Sequence, residues 1–281
     1  DSIASGGDNN TLIGKDAGTA ITTGSNNTVV GHDAGAAITT GTVNTFVGNL
    51  AGDATTTSHH NTGIGHQALT TNVLGSNSVA VGSFALNSQN PASATDMYNT
   101  AVGYNAGQAI STGDRNVAVG ATSLDACTSG QYNVAVGNDA LTTLTTGDNN
   151  VAVGINAGAA ITTAIQNTFI GSMAGDATTN ASDNVAVGFD ALGTNVGGQN
   201  NVAVGPRALR DATVSSGNIY NTAVGSSAGL LISSGTKNTC LGGLAGQSIT
   251  TGDYNVIIGY SVDVNTGGVD ASIVMGQSVT G

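Results

Sequence analysis

The chain has 281 residues, of which 43 are Gly, none is Trp and only 8% are charged, with a formal net charge of −12. Seventeen acidic residues stand against Lys15, Arg115, Arg207, Arg210 and Lys237, which leaves no basic patch to follow a phosphate backbone and excludes nucleic acid as an expected partner. With 39% hydrophobic residues and a mean hydropathy of +0.10 the chain can collapse, but six Tyr and four Phe suit a thin core better than a spherical one.

From the first residues onward one pattern recurs. Aligned on Asn-Thr/Val-x-Val/Ile-Gly, glycines fall at Gly14, Gly31, Gly48, Gly65, Gly82, Gly103, Gly120, Gly137, Gly154, Gly171, Gly188, Gly205, Gly225, Gly242, Gly259 and Gly276. The period is 17 residues, lengthened by four before Gly103 and by three before Gly225. Sixteen copies at one spacing define a repeat architecture.

Within each copy the residue four before the Gly is Asn in fourteen cases, with Ser78 and Ser272 the exceptions, and the residue just before it is always Val, Ile, Leu or Met. Alternating β-branched residues ending at a Gly predict a short strand and a turn. Three residues on comes Ala in thirteen copies, with Ser123, Val262 and Val279 the departures, then often an Ile such as Ile21 or Ile110 and a Thr-Thr-Gly corner. The template reads strand, Gly turn, second short strand, polar turn. A Gly in every 17 residues would cost a helix about 1 kcal/mol each, so helical repeats are excluded.

The expected fold is therefore all-β, a parallel β-solenoid of sixteen 17-residue rungs forming a single domain over 1–281, with small insertions at about 87–98 and 210–220. At about 4.8 Å per rung it would be a rod of about 75 Å. Each position stacks on its equivalents. Val119, Val136, Val153, Ile170 and Val187 are expected to line the interior, and Ala80, Ala101, Ala118, Ala135, Ala152, Ala186, Ala203 and Ala223 to face outward as a seam for another chain. The column containing Asn99, Asn116, Asn133 and Asn150 is expected to form an amide ladder beside the turn column of Gly103, Gly120, Gly137 and Gly154.

Asn-Val-Ala-Val-Gly-x-x-Ala, as at 116–123, where Ser123 replaces the Ala, and at 133–140, 150–157, 184–191 and 201–208, resembles the head repeat of YadA-like trimeric autotransporter adhesins. Asn44-Thr45-Phe46-Val47-Gly48 and Asn167-Thr168-Phe169-Ile170-Gly171 are similar to repeats of phage tail fibres and large bacterial surface proteins. The resemblance covers nearly the whole chain, although the 17-residue period is longer than the repeat usual in those heads. It implies a left-handed β-roll, a side-by-side homotrimer and an adhesive role on a virion or cell surface, with a surface glycan or host receptor as partner.

Little in the sequence suggests chemistry. No nucleophile elbow, phosphate loop or calcium repeat is present, and no catalytic residue and no cofactor is expected. His59, His60 and His66 lie close around one rung and could meet a metal at a threefold axis, though exposed turn histidines are the simpler reading. Cys127 and Cys240 lie too many rungs apart for an intrachain disulfide and read as buried thiols, Cys240 in the outward column. The insertions, ending in Tyr98 and Tyr220, are the candidate recognition loops, but Tyr132 and Tyr254 occupy the same slot in uninterrupted rungs.

No apolar run is long enough to span a bilayer and no signal peptide is apparent, so no membrane insertion is expected; the chain reads as a piece of a longer extracellular polypeptide. Two other functions stay open. An ice-binding solenoid is suggested by corner threonines such as Thr39-Thr40 and Thr162-Thr163, and a carbohydrate-cleaving tailspike by turn carboxylates such as Asp96, Asp114, Asp125, Asp139 and Asp148.

Overall fold

A computed structural model describes residues 7–213 and 216–278. Val279 and part of the second insertion therefore lie outside the described residues. The chain is a parallel β-solenoid with rungs of about 17 residues and no helix among the described residues. It divides into two compact units, Asp1–Asn138 and Asp139–Gly281.

Each unit carries eight three-residue strands in one parallel sheet. In the first unit they are Thr11–Ile13, Thr28–Val30, Thr45–Val47, Thr62–Ile64, Val79–Val81, Thr100–Val102, Val117–Val119 and Val134–Val136. In the second they are Val151–Val153, Thr168–Ile170, Val185–Val187, Val202–Val204, Thr222–Val224, Thr239–Leu241, Val256–Ile258 and Ile273–Met275. Neighbours pair with no register slip, Ala101 on Ala118 and Phe169 on Ala186. A one-residue slip would turn every strand side chain to the other face.

The expected second strand of each rung is absent among the described residues. Positions two and four after the turn Gly take left-handed backbone angles, as at Asp16 (φ 58) and Gly18 (φ 60), which break the pleat. The segment runs as successive turns, with Ile21 N donating to Gly18 O within the rung and Gly18 N donating to Ala34 O in the next. The insertions add two short parallel ribbons, Gly75–Ser76 with Thr95–Asp96 and Gly198–Gln199 with Gly217–Asn218.

The facing of the strand is opposite to the sequence expectation. Ala80, Ala101, Ala118, Ala135, Ala152, Ala186, Ala203 and Ala223 are buried, and the Val119, Val136, Val153, Ile170 and Val187 column points outward, Ile170 being 40% exposed. Interior volume explains the reversal. The centre of the strand shares its space with the side chain four residues after the turn Gly, and only one of the two can be large. Phe46 and Phe169 stand opposite Gly52 and Gly175, where an added Cβ would come within 2.6 Å of the ring. Gly63, Ala80, Ala118, Ala135, Ala186 and Ala203 stand where Leu69, Leu86, Leu124, Leu141, Leu192 and Leu209 fill the core. Those leucines hold positive φ, between 47 and 56. A left-handed residue costs about 1–2 kcal/mol and full burial of Leu contributes about 1.5–3 kcal/mol, so burial wins by a narrow margin.

Candidate functional site

The Asn column forms the polar spine of each unit. In the first, Asn116 N donates to Asn99 Oδ1 at 2.9 Å, Asn133 N to Asn116 Oδ1 at 2.9 Å, and Asn116 Nδ2 to Gly130 O at 2.8 Å. Asn150 belongs to the second unit, where its Oδ1 accepts from Asn167 N at 3.1 Å and its Nδ2 donates to Ala164 O at 2.8 Å. These side chains are buried, so each satisfied amide avoids the cost of an unpaired polar group.

The turn glycines sit against the next rung with φ between 125 and 151. At Gly103 a Cβ would lie 2.5 Å from Gly120 O; at Gly154 it would lie 2.6 Å from Gly171 O. Gly120 and Gly137 have φ 134 and 140, angles outside the range of L side chains. Ladder and Gly columns thus build the scaffold.

The candidate loops are anchored inside and open outside. In the first, Gln89 and Met97 are fully buried, Met97 N donates to Ser76 O at 2.9 Å, and residues 92–94 are exposed. In the second, Ile219 takes the place of Met97 and donates to Gln199 O at 3.0 Å. Tyr98 and Tyr220 end the loops in left-handed conformation (φ 52 and 57), 51% and 49% exposed.

Each tyrosine belongs to a larger arrangement. Arg115 Cζ lies 5.8 Å from the Tyr98 ring centroid and 5.3 Å from that of Tyr132, one guanidinium between two rings. In the second unit Lys237 Nζ lies 4.6 Å from the Tyr254 ring centroid and donates to its hydroxyl at 2.7 Å, with Tyr220 on the preceding rung. Tyr98 and Tyr220, Arg115 and Lys237, and Tyr132 and Tyr254 are each 122 residues apart. The sequence reading missed this seven-rung repeat, although that offset carries it.

The other candidates disperse. His59 Nδ1 faces Thr42 N and Oγ1 at 3.1 and 3.0 Å, its ring centroid lies 6.5 Å from that of His60, and His66 packs edge-on against Phe84 at 5.2 Å. The one group of three ligand-type side chains within 4.8 Å of one another, among the described residues, is Asp16, His32 and Asp33, at a partly exposed turn.

Cys127 and Cys240 are free and buried. Cys240 is interior, correcting its expected outward place, and burial, with Asp263 adding to it, pushes its thiol up to about 12. Burial also raises the carboxyl of Asp53, assisted by Asp33, and that of Asp176, assisted by Asp190. No helix among the described residues is long and apolar enough to cross a membrane. Compared with known proteins, the chain matches no family model and no curated sequence.

Proposed function

We propose that the chain is a non-catalytic structural and adhesive segment of a side-by-side homotrimeric fibre, displayed on a virion or cell surface. The observation that carries this reading is the outward strand face. Each of the three-residue strands ends in an outward Val, Ile, Leu or Met, flanked two residues earlier by Thr, Val or Ile. Ile64, Val102, Ile170 and Leu241 are between 38% and 46% exposed there. Within each unit an apolar column of this kind marks an association surface. In a second copy the same strip recurs at the same rung spacing, so each column can pack against its own counterpart.

This face replaces the alanine seam expected from the sequence. The left-handed roll and the adhesive role come from the resemblance to YadA-like heads and tail fibres. The test is native mass by light scattering at low and high salt. A threefold mass is expected, firmer at high salt because three chains at −12 each must be screened. Val119→Lys together with Val187→Lys should yield folded monomer. A wild-type chain that stays monomeric at both salts would sink the proposal.

A second reading has its own observation. Thr11, Thr28, Thr45, Thr62 and Thr100 lie on that outward face beside Ile13, Val30, Val47, Ile64 and Val102, a regular hydroxyl and methyl array suited to ordered water. The corner threonines named from sequence are partly committed, Thr39 Oγ1 donating to Thr56 O at 3.2 Å. Thermal hysteresis by a monomeric chain would move the assignment to ice binding.

A further inference from the structure

We infer that the two tyrosine–cation ladders, Tyr98–Arg115–Tyr132 and Tyr220–Lys237–Tyr254, are twin binding sites for an extended chain of neutral pyranose sugars. Folding does not account for them. The left-handed slot they occupy favours Asn, Asp or Gly, and Asn9, Asn26, Asn77, Asn149, Asp183 and Asn200 fill it in other rungs, with Val43, His60, Gln166 and Ala271 the departures. A bulky residue at positive φ is offset by burial at the core leucines, whereas these four rings remain 48–55% exposed. An exposed cation–π contact contributes little. Both units nevertheless place ring, cation and ring on three successive rungs, each beginning on the last residue of its insertion.

The chemistry fits a sugar. A pyranose offers an apolar C–H face to an aromatic ring and a rim of hydroxyls that need donors and acceptors. In the first unit the rings stand beside Asp96, which accepts from Asn77 Nδ2 at 2.7 Å and from the Tyr98 hydroxyl at 3.2 Å, and beside Asp114, whose Oδ2 is held by Arg115. In the second, Asn218 accepts from Asn200 Nδ2 at 3.0 Å, and Asp253 accepts from Thr236 N and Oγ1. Each site thus has two rings, a cation able to donate and carboxylate or amide oxygens able to accept. The rings of one site stand two rungs apart, about 9.5 Å at the interstrand spacing, close to the length of a disaccharide in an extended glycan. The carboxylates and the net charge of −12 select against polyanionic sugars.

The inference deepens the adhesive part of the proposed function, yet it is judged separately, because each site lies within one unit of a single chain. The experiment is binding of the whole 281-residue chain to cellohexaose, chitohexaose, mannohexaose and galactohexaose, with a heparin hexasaccharide as polyanion control, by calorimetry. At least one neutral hexaose should bind with two sites per chain, and heparin should not. Tyr98→Ala with Tyr132→Ala should remove one site, and adding Tyr220→Ala with Tyr254→Ala the other, a loss of at least tenfold in affinity, while the four Tyr→Phe changes keep both. Circular dichroism and light scattering on each variant distinguish lost binding from lost fold or lost assembly. No neutral hexaose binding, preference for heparin, or binding that survives all four alanines in a folded chain would overturn the inference, whatever the native mass.

Discussion

The two insertions enter their units at the same point of the rung and solve the same packing problem differently. Both follow a buried Asn that closes a short turn, Asn72 with Gly75 and Asn195 with Gly198, each pair bonded in both directions. They diverge at the spine. In the second unit Asn201 continues the ladder, its Oδ1 accepting from Asn221 N at 3.2 Å, and the interior beside it is filled by Ala212. In the first unit the ladder position is Ser78, too short to span the rung, and Gln89 takes the place corresponding to Ala212. Gln89 Oε1 accepts from Ser78 Oγ at 3.2 Å and from Asn99 Nδ2 at 3.0 Å, while its Nε2 donates to Asn72 Oδ1 at 3.3 Å. One amide has moved from the ladder to the opposite wall. The lesson is that the spine demands an amide group at that height, and the side that supplies it is negotiable.

The largest expected effect lies in what the two regions share. Gly103→Ala and Gly225→Ala each place a Cβ 2.5 Å from a carbonyl oxygen of the next rung, at φ 142 and 137. Each should cost about 3–5 kcal/mol, read as a fall in the denaturant midpoint, and the two should be similar.

The difference between the regions gives the next effect. Gln89→Ala alone should cost about 2–4 kcal/mol through three buried polar partners left short, and Ser78→Asn alone should overpack the site by about 1–3 kcal/mol. The double variant reproduces the second unit's pair and should come back to within about 1 kcal/mol of wild type. Additive losses in that cycle would break the comparison.

The interior strand column holds a thiol in the second unit alone, and that thiol gives a pH effect. Cys240 stands there where the first unit has Ala118, and its thiol is raised from 9.0 to about 12. The folded protein then holds a proton that the unfolded chain releases, so stability is full below pH 9 and falls as pH rises. Denaturant titrations should show a loss of about 2 kcal/mol between pH 9 and about pH 10.5, absent in Cys240→Ala.

The smallest effect sharpens the symmetry. Asp53 and Asp176 occupy equivalent positions 123 residues apart, and burial raises both. A raised carboxyl opposes folding as it ionises, so Asp53→Asn and Asp176→Asn should each stabilise the chain slightly at neutral pH. The gain, under about 1 kcal/mol because both groups are partly exposed, should vanish below the carboxylate range.

Period, strand and turn were readable in the residues, because a ladder Asn, a β-branched pair and a turn Gly recur at fixed offsets and each has a local backbone reason. Both insertions stand out as two lapses of the same spacing, and the ladder Asn and turn Gly columns recur rung by rung. The facing of the strand was not readable. In Val-Ala-Val hydrophobicity argues for burying Val, but a 17-residue coil brings its walls so close that volume decides, and Ala is what fits beside Leu124 or Leu141. The exchange of Ser78 and Gln89 for Asn201 and Ala212 was equally hidden, since the partners lie eleven residues apart in the chain and meet across the core. The tyrosine ladders lay between the two cases: each residue was visible as a repeated slot, while the cation between the rings and the exposure of all four appear only when rungs stack. The sequence by itself determined the repeat, because backbone preferences act locally. Tertiary structure alone decided which face is inside and which side chains meet, because those depend on space shared by residues from different rungs and opposite walls.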